Sequence, residues 1–204
     1  FVAGISNGAK WTGNSVGGVD LDVYLSDSGA WTGYHENTGS NTLDMEISNG
    51  ATWKNTSDKA TTVTTMGGEG GFVEMSETAS AGLTVEKYSG DTTFIYAHNY
   101  GKDVENDKLI KGGDVTIKAA DDGSVVTMRT NNIGTSEKEE VDRVLNALAE
   151  KLAYTGYASN KDALTGKVQI MEGMTGSSVT REGQIKFDDT TGKGSLNTSV
   201  DVKV

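Results

Sequence analysis

Paired aspartates are the residues of this chain whose spacing could support acid–base or cation chemistry. Enzymes that cleave polysaccharides use clustered carboxylates, sometimes with calcium. Two aspartates on one face of a strand repel each other, which raises one pKa or attracts a cation. The candidate pairs are Asp20 with Asp22, Asp121 with Asp122, and Asp188 with Asp189. The competing interpretation, which we favour, is that each pair lies on a solvated face, and no catalytic residue is therefore predicted.

Other site chemistry has little support in the sequence. The two histidines, His35 and His98, lie in no HExxH motif and have no cysteine to accompany them, so no metal site is predicted. His98 is expected to be a polar loop residue at a strand end. The glycine-rich stretch 67–71 lacks both the aspartate of a calcium repeat and the Gly-Lys-Ser/Thr of a phosphate loop, and no cofactor is predicted.

Tyrosines could bind sugars by stacking, but most of them fall in strand patterns where packing is the default. We therefore predict no binding site from Tyr24, Tyr34, Tyr88, Tyr96, Tyr100, Tyr154 and Tyr157. Serine hydrolysis is also disfavoured. The stretches 4–8 (GISNG) and 13–17 (GNSVG) match the letters G-x-S-x-G, but neither leads into a predicted helix, which a nucleophile elbow requires.

Charge and composition exclude several classes of partner. The formal net charge is −11, which repels nucleic acid and anionic lipid headgroups, so neither is expected to bind. The absence of cysteine rules out disulfides and thiolate metal sites. No apolar run is long enough for a membrane helix, and we expect no membrane insertion by this segment. The chain starts at Phe1, which we interpret as a processed product or a piece of a longer protein.

One short phrase occurs three times, as ISNGAKW at 5–11, LSDSGAW at 25–31 and ISNGATW at 47–53. Self-similarity at a fixed period of about 20 residues indicates one supersecondary unit that is stacked. In a parallel β-helix each residue lies over its counterpart one coil on, about 4.8 Å away. We therefore predict two interior columns, one of Ile5, Leu25 and Ile47 and one of Trp11, Trp31 and Trp53. The alternative is a duplicated hairpin in an antiparallel sandwich.

Short alternating apolar clusters extend this pattern over residues 1–133, the predicted β-solenoid coils. Strands are expected around Val19–Leu25, Leu43–Ile47, Phe72–Met75, Leu83–Val85 and Phe94–Tyr96. Turn signals separate these clusters, because glycine and asparagine accept positive φ at little cost. The turns are Gly17-Gly18, Asn49-Gly50, Gly67-Gly68 and Ser89-Gly90.

One amphipathic helix is predicted over 136–153, within a segment 134–158. Ser136 and Glu139 form a capping box, and Val141, Val144, Leu145, Leu148 and Leu152 form one apolar stripe, with Gly156 as the stop. The stripe is expected to pack against the β body or over its open end; a partner helix on another chain is the alternative. Residues 159–204 predict further short strands, either antiparallel hairpins or less regular coils, with turns at Glu172-Gly173, Glu182-Gly183 and 192–194.

Residues 47–120 resemble the C-terminal part of a pertactin-like autotransporter passenger. The resemblance rests on the order of the Asn-Gly-Ala-x-Trp phrase, the Thr-rich strand 61–66 with Gly67-Gly68, and the stretches Phe72–Met75, Leu83–Gly90, Phe94–Tyr96 and Asn106–Ile110. It implies a right-handed β-helix, in agreement with the general preference for right-handed parallel crossovers. The helix and the segment after it depart from the family pattern, and no barrel follows in this sequence.

The resemblance implies a non-catalytic bacterial cell-surface or secreted passenger fragment, on the outer-membrane exterior, that acts as a stalk or adhesin. Its partners would be a protein or glycan of a host or neighbouring cell. Two other functions stay open at this point. One is a polysaccharide-active β-helix such as a lyase or phage tailspike module, and the other is a sandwich module that binds carbohydrate or protein.

Overall fold

The computed structural model describes residues 1–78, 80–172 and 178–201. The chain is built mostly from strands, with one α-helix, α1 (Lys138–Ala149), and a 3-10 turn at Asn106–Lys108. The strands are β1 (Val2–Ile5), β2 (Lys10–Thr12), β3 (Ser15–Gly17), β4 (Leu21–Leu25), β5 (Ala30–Gly33), β6 (His35–Asn37), β7 (Leu43–Ile47), β8 (Thr52–Asn55), β9 (Thr61–Gly67), β10 (Glu69–Met75), β11 (Leu83–Tyr88), β12 (Asp91–His98), β13 (Ile110–Lys111), β14 (Val115–Ile117), β15 (Ser124–Asn131), β16 (Leu152–Tyr154), β17 (Leu164–Glu172), β18 (Ser178–Phe187) and β19 (Gly194–Asp201).

Strands that follow one another along most of the chain belong to different sheets. A seven-stranded sheet has the order β1-β4-β7-β9-β11-β14-β16. A ten-stranded sheet has the order β19-β18-β17-β15-β12-β10-β8-β5-β2, and its tenth strand, β13, lies off this path and pairs antiparallel with β12. A small third sheet pairs β3 with β6. All pairs in the first sheet are parallel, and so are all pairs along the path of the second sheet from β2 to β17. The predicted all-β chain of stacked parallel strands is thus confirmed, whereas a sandwich would require antiparallel pairing of these strands.

The three repeated phrases lie in register. Ile5 pairs with Leu25, and Leu25 with Ile47, in the first sheet. In the second sheet the indole of Trp31 lies between the other two, with centroids 4.8 Å from Trp11 and 5.5 Å from Trp53 and interplanar angles of 9° and 12°. Both predicted columns are confirmed.

The two columns continue beyond the phrases because later strands keep the same register. The tryptophan column proceeds through Val73, Phe94, Met128 and Val168, all of them buried. An outward column in the same sheet follows the successive partners Thr12, Thr32, Lys54, Glu74, Ile95, Arg129 and Gln169. Inward side chains of successive coils therefore contact one another and share one core. A single isolated coil could not bury these side chains.

The polar centre of each phrase forms a tight turn with positive φ at two successive residues. These φ values are 55° and 72° at Asn7-Gly8, 47° and 62° at Asp27-Ser28, and 50° and 74° at Asn49-Gly50. A left-handed backbone conformation costs glycine little conformational free energy and is tolerated by Asn and Asp, but it is unfavourable for serine. Ser28 is therefore the strained member of the set.

Helix α1 exists but is shorter than predicted. Its N-cap is Glu137, with no side-chain capping bond, and the Glu137 amide donates to Thr135 Oγ1 over 3.2 Å. Ser136 lies one residue outside the cap, so the capping box was wrong. At the other end Leu152 belongs to β16, which pairs with β14, and Gly156 therefore does not end the helix. The helix ends early because the chain returns to the parallel sheet.

The helix docks within the chain, as expected from its apolar stripe. Val141, Val144, Leu145 and Leu148 are buried, and α1 lies against β17 and β19. Asn146 Oδ1 accepts the amide of Leu196 at 3.0 Å. The predicted segments 1–133, 134–158 and 159–204 all supply buried side chains to one hydrophobic core.

The last described strands form antiparallel hairpins, the first of the two alternatives offered by the sequence. β17 pairs with β18 and β18 with β19. The turn predicted at Glu182-Gly183 is wrong, because both residues lie within β18. A Cβ at Gly183 would be 2.6 Å from Leu196 Cδ1 and 2.9 Å from Val168 Cγ2, so this glycine provides clearance for packing. Gly192 does turn, at φ 70°. Gly173 and residues 202–204, also assigned to a turn and a strand, lie outside the described residues.

Candidate functional site

Five of the six aspartates chosen for possible chemistry, all except Asp22, have a side-chain contact with another described residue. Asp20 precedes β4 and its Oδ1 accepts the Thr42 amide at 2.9 Å, so it does not share a strand face with Asp22. Asp121 lies 3.6 Å from Lys87 Nζ, Asp122 accepts the Asn160 amide group at 2.9 Å, and Asp189 pairs with Lys161. These contacts hold loops and neighbouring strands together.

Asp188 is the best anchored of the six. Its Oδ1 accepts the amides of Thr190 at 2.9 Å and Thr191 at 2.7 Å, and the Thr191 hydroxyl at 3.0 Å. These three donors, the Thr191 amide first, hold the pKa of the Asp188 carboxyl below its ordinary value. An ionised carboxylate at this position fixes the turn between β18 and β19.

His98 ends β12 and joins two loops. Its Nδ1 accepts the Tyr100 amide at 3.2 Å, and its Nε2 lies 3.0 Å from the carbonyl oxygen of Asn132. An accepting Nδ1 leaves Nε2 as the donor. This arrangement agrees with the expected polar residue at a strand end.

His35 belongs to a site that the sequence analysis did not find. An open polar groove of about 550 Å³, hereafter the His35 groove, is formed by residues of the segments 34–42 and 57–64 together with Glu86. His35 is 6% exposed, with Nδ1 3.2 Å from Ser15 Oγ, and its Nε2 has no hydrogen-bond partner among the described residues. Burial lowers the pKa of His35, against the opposing effect of its contact with Ser15, so the imidazole is neutral at pH 7.

The walls of the His35 groove carry many hydrogen-bonding groups. Glu36 and Lys59, both in the lining, form an ion pair of 2.8 Å, and Tyr34, also in the lining, is half-buried. Serine, threonine and asparagine provide most of the remaining lining. Such a surface suits a hydroxylated ligand, since it offers donors and acceptors beside one aromatic ring. No motif marks these residues, and their only signal is the local richness in Asn, Ser and Thr over 37–42 and 56–65.

The buried tyrosines are structural. Tyr88 donates to the carbonyl oxygen of Val125 over 2.6 Å and accepts the Thr92 amide over 2.7 Å. Tyr96 donates to the Gly113 carbonyl over 2.8 Å, and burial raises the pKa of both phenols. Tyr88, Tyr96 and Tyr154 are buried and pack inward from their strands, as expected. Tyr24, on β4, is 49% exposed.

The described residues contain no group of three or more histidine, cysteine or acidic side chains placed to hold a metal ion. In the same part of the chain, no helix has the length and apolar character needed to cross a membrane. Comparisons with protein-family models, curated proteins and solved structures find no match to this chain.

Proposed function

We propose that this chain is a non-catalytic segment of a bacterial cell-surface or secreted protein, and that it works as a stalk that presents binding surface. In this proposal the stacked parallel coils are those of a right-handed β-helix. The observation that carries it is the unbroken register of the tryptophan column, from Trp11 to Val168 through seven strands.

A stack of this kind suits a mechanical role. Neighbouring coils are joined by backbone hydrogen bonds, such as Ser26 N to the Ile5 carbonyl at 3.0 Å and Ser48 N to the Leu25 carbonyl at 2.9 Å. Because every coil is bonded to the next along the stack, bending requires many such bonds to distort together. A stiff support of this type holds loops away from its point of attachment.

The partner in this proposal is a glycan or protein on another cell, and the His35 groove is where we place contact with a glycan. Its lining of hydroxyl, amide and charged groups beside Tyr34 supports recognition of sugar hydroxyls. Glycan binding on an open groove depends on many weak hydrogen bonds and on stacking of a sugar face against an aromatic ring.

A glycan array and a cell-adhesion assay test the binding part of the proposal. Tyr34→Ala is expected to reduce binding at least tenfold, because it removes the aromatic surface in the groove. Tyr24→Ala is the matched control, since Tyr24 is exposed on another sheet. Equal binding by the parent protein and both variants would place the contact elsewhere.

The non-catalytic part is tested with polysaccharides. Purified protein is expected to leave pectin-like and capsular polymers intact. Cleavage that is abolished by Asp20→Asn or Asp122→Asn would overturn the assignment and favour the polysaccharide-active alternative. The location is tested by antibody labelling of intact cells: labelling that appears only after the cells are broken would contradict exposure on the surface.

A further inference from the structure

The two ends of the stack differ in how their strand edges are covered. At the C-terminal end the Tyr154 amide of β16 donates to the Gly192 carbonyl at 2.8 Å, and β17 is followed by the antiparallel β18 and β19. At the other end β1, β2 and β3 each pair on one side only, with β4, β5 and β6, within the described chain. The free edges of these three strands form the first-coil face.

Trp11 lies on the first-coil face with an unused donor. Trp31 Nε1 donates to the Gly13 carbonyl at 2.9 Å, and Trp53 Nε1 donates to the Gly33 carbonyl at 3.0 Å. Each indole thus reaches a glycine carbonyl of the preceding coil. Among the described residues no such acceptor exists for Trp11 Nε1, and Trp11 is only half-buried whereas Trp31 and Trp53 are fully buried.

The backbone of the first coil likewise has an amide without the partner that its counterparts in later coils have. Ser26 and Ser48 are the second residues of their phrases. Each donates its backbone amide to the carbonyl oxygen of the apolar first residue of the phrase one coil earlier, Ile5 and Leu25 respectively. Ser6 is their counterpart in the first phrase, and the described chain offers its amide no such carbonyl. Unpaired groups of this kind are what a strand edge uses to add another strand.

The residues of this edge include several exposed apolar side chains and no acidic one. Four of the six large exposed hydrophobic residues in the described chain belong to it: Phe1, Val2, Val16 and Val19, with exposures of 75%, 63%, 63% and 59%. Residues 1–19 include no Asp or Glu, although the whole chain has a net charge of −11. An apolar patch without acidic groups on an acidic protein marks a surface that another polypeptide covers.

We infer that the first-coil face docks one further parallel coil of the same repeat type. The occupant is an extended segment with an apolar residue, a Ser/Asx turn, a tryptophan six residues after the apolar one, and a glycine two residues after the tryptophan. Its indole stacks on Trp11 and its glycine carbonyl accepts Trp11 Nε1–H, as Gly13 and Gly33 do for Trp31 and Trp53. The inference extends the contact already made twice within the chain and rests on the coil stacking in the proposed function.

A second copy of this chain does not supply such a coil. Two first-coil faces brought together run antiparallel and direct both Trp11 donors at each other, while the Gly13 carbonyl is already taken by Trp31. The C-terminal end of another copy presents antiparallel strands and a turn rather than a free parallel coil. A coil with the phrase is therefore the occupant that matches the groups on this face.

Hydrogen exchange of the three indole N–H groups tests the inference in the full 204-residue chain. Tryptophan labelled with ¹⁵N gives three signals in the parent chain, and Trp11→Phe, made in the parent and in the fusion described next, identifies that of Trp11. The copied tryptophan of the fusion adds a fourth signal. The probe is a copy of residues 21–42 fused directly before Phe1, because Asp22 is the register partner of Val2 and Asp44 that of Asp22. The control fusion carries Trp→Ser and Gly→Val changes at the copied positions 31 and 33.

We expect Trp11 to exchange rapidly in the parent chain and at least tenfold more slowly in the fusion, whereas the control fusion leaves it fast. Trp31 and Trp53 exchange slowly in all forms, which reports that each variant is folded. Unchanged exchange of Trp11 in the fusion overturns the inference, and so does slow exchange in a parent chain that sediments as a dimer. These outcomes do not bear on surface location or polymer cleavage, so the proposed function is judged separately.

Discussion

Replacing each tryptophan by phenylalanine should give unequal losses of stability, because the three indoles occupy different positions in one column. Trp31 is stacked on both sides, is fully buried, and donates a hydrogen bond to Gly13. Trp31→Phe leaves that carbonyl without its donor, which costs about 1–3 kcal/mol. The smaller ring loses further packing, about 1–2 kcal/mol for a large-to-small change of this size. The total expected loss is about 2–5 kcal/mol.

Trp11→Phe is the matched control. Trp11 is half-buried, has one stacking neighbour, and makes no indole hydrogen bond with a described residue, so we expect a loss of about 0.5–1 kcal/mol. Urea unfolding followed by far-ultraviolet circular dichroism measures both. With an m value of about 2–3 kcal/mol/M, Trp31→Phe moves the midpoint by roughly 1–2 M and Trp11→Phe by a fraction of that. Equal shifts for the two variants would refute the column as the source of stability.

Three further predictions concern a turn, a buried phenol and a carboxylate. Ser28→Gly should raise the free energy of unfolding by about 0.5–1 kcal/mol in urea, because glycine relieves the left-handed backbone, and Gly50→Ser at the matching turn should lower it; the same sign for both would contradict this. Tyr88→Phe should lower the melting temperature, since it strips two backbone groups of their partner at a cost of about 1–3 kcal/mol, while Tyr24→Phe on the surface should not. The lowered pKa of Asp188 contributes stability that is present above the unfolded pKa and is lost as pH falls through the folded one. Asp188→Asn should therefore reduce the melting temperature at pH 7 and flatten its decline towards pH 3, and an unchanged acid profile would show that the turn does not depend on this charge.

The stacking could be predicted from sequence because each coil repeats both its apolar residues and its turn. A strand register is specified when one face is buried, and the phrase defines that face three times. Ile5, Leu25 and Ile47 could therefore be assigned to one column without coordinates. The bounds of α1 could not, since the same apolar stripe continues into Leu152, whose strand pairing with Val115 is decided by the sheet.

Two residue types misled or escaped the sequence analysis for physical reasons. Glycine serves turns and close packing alike, so Gly183 looked like a turn although it makes room for Leu196 inside β18. His35 belongs to no motif, and its groove is assembled from two polar segments that become neighbours only through coil stacking. Asn, Ser and Thr at such positions are indistinguishable from ordinary loop residues until the register is known.

Distances between spin labels test the parallel stack most directly. Thr12, Ile95 and Gln169 lie in one outward column, with Ile95 four strands and Gln169 six strands from Thr12. The chain has no native cysteine, so paired cysteine variants can be labelled without background. At about 4.8 Å per strand, the account predicts backbone separations of about 19 Å for Thr12 to Ile95 and about 29 Å for Thr12 to Gln169. Equal separations, or a shorter distance to Gln169, would contradict it.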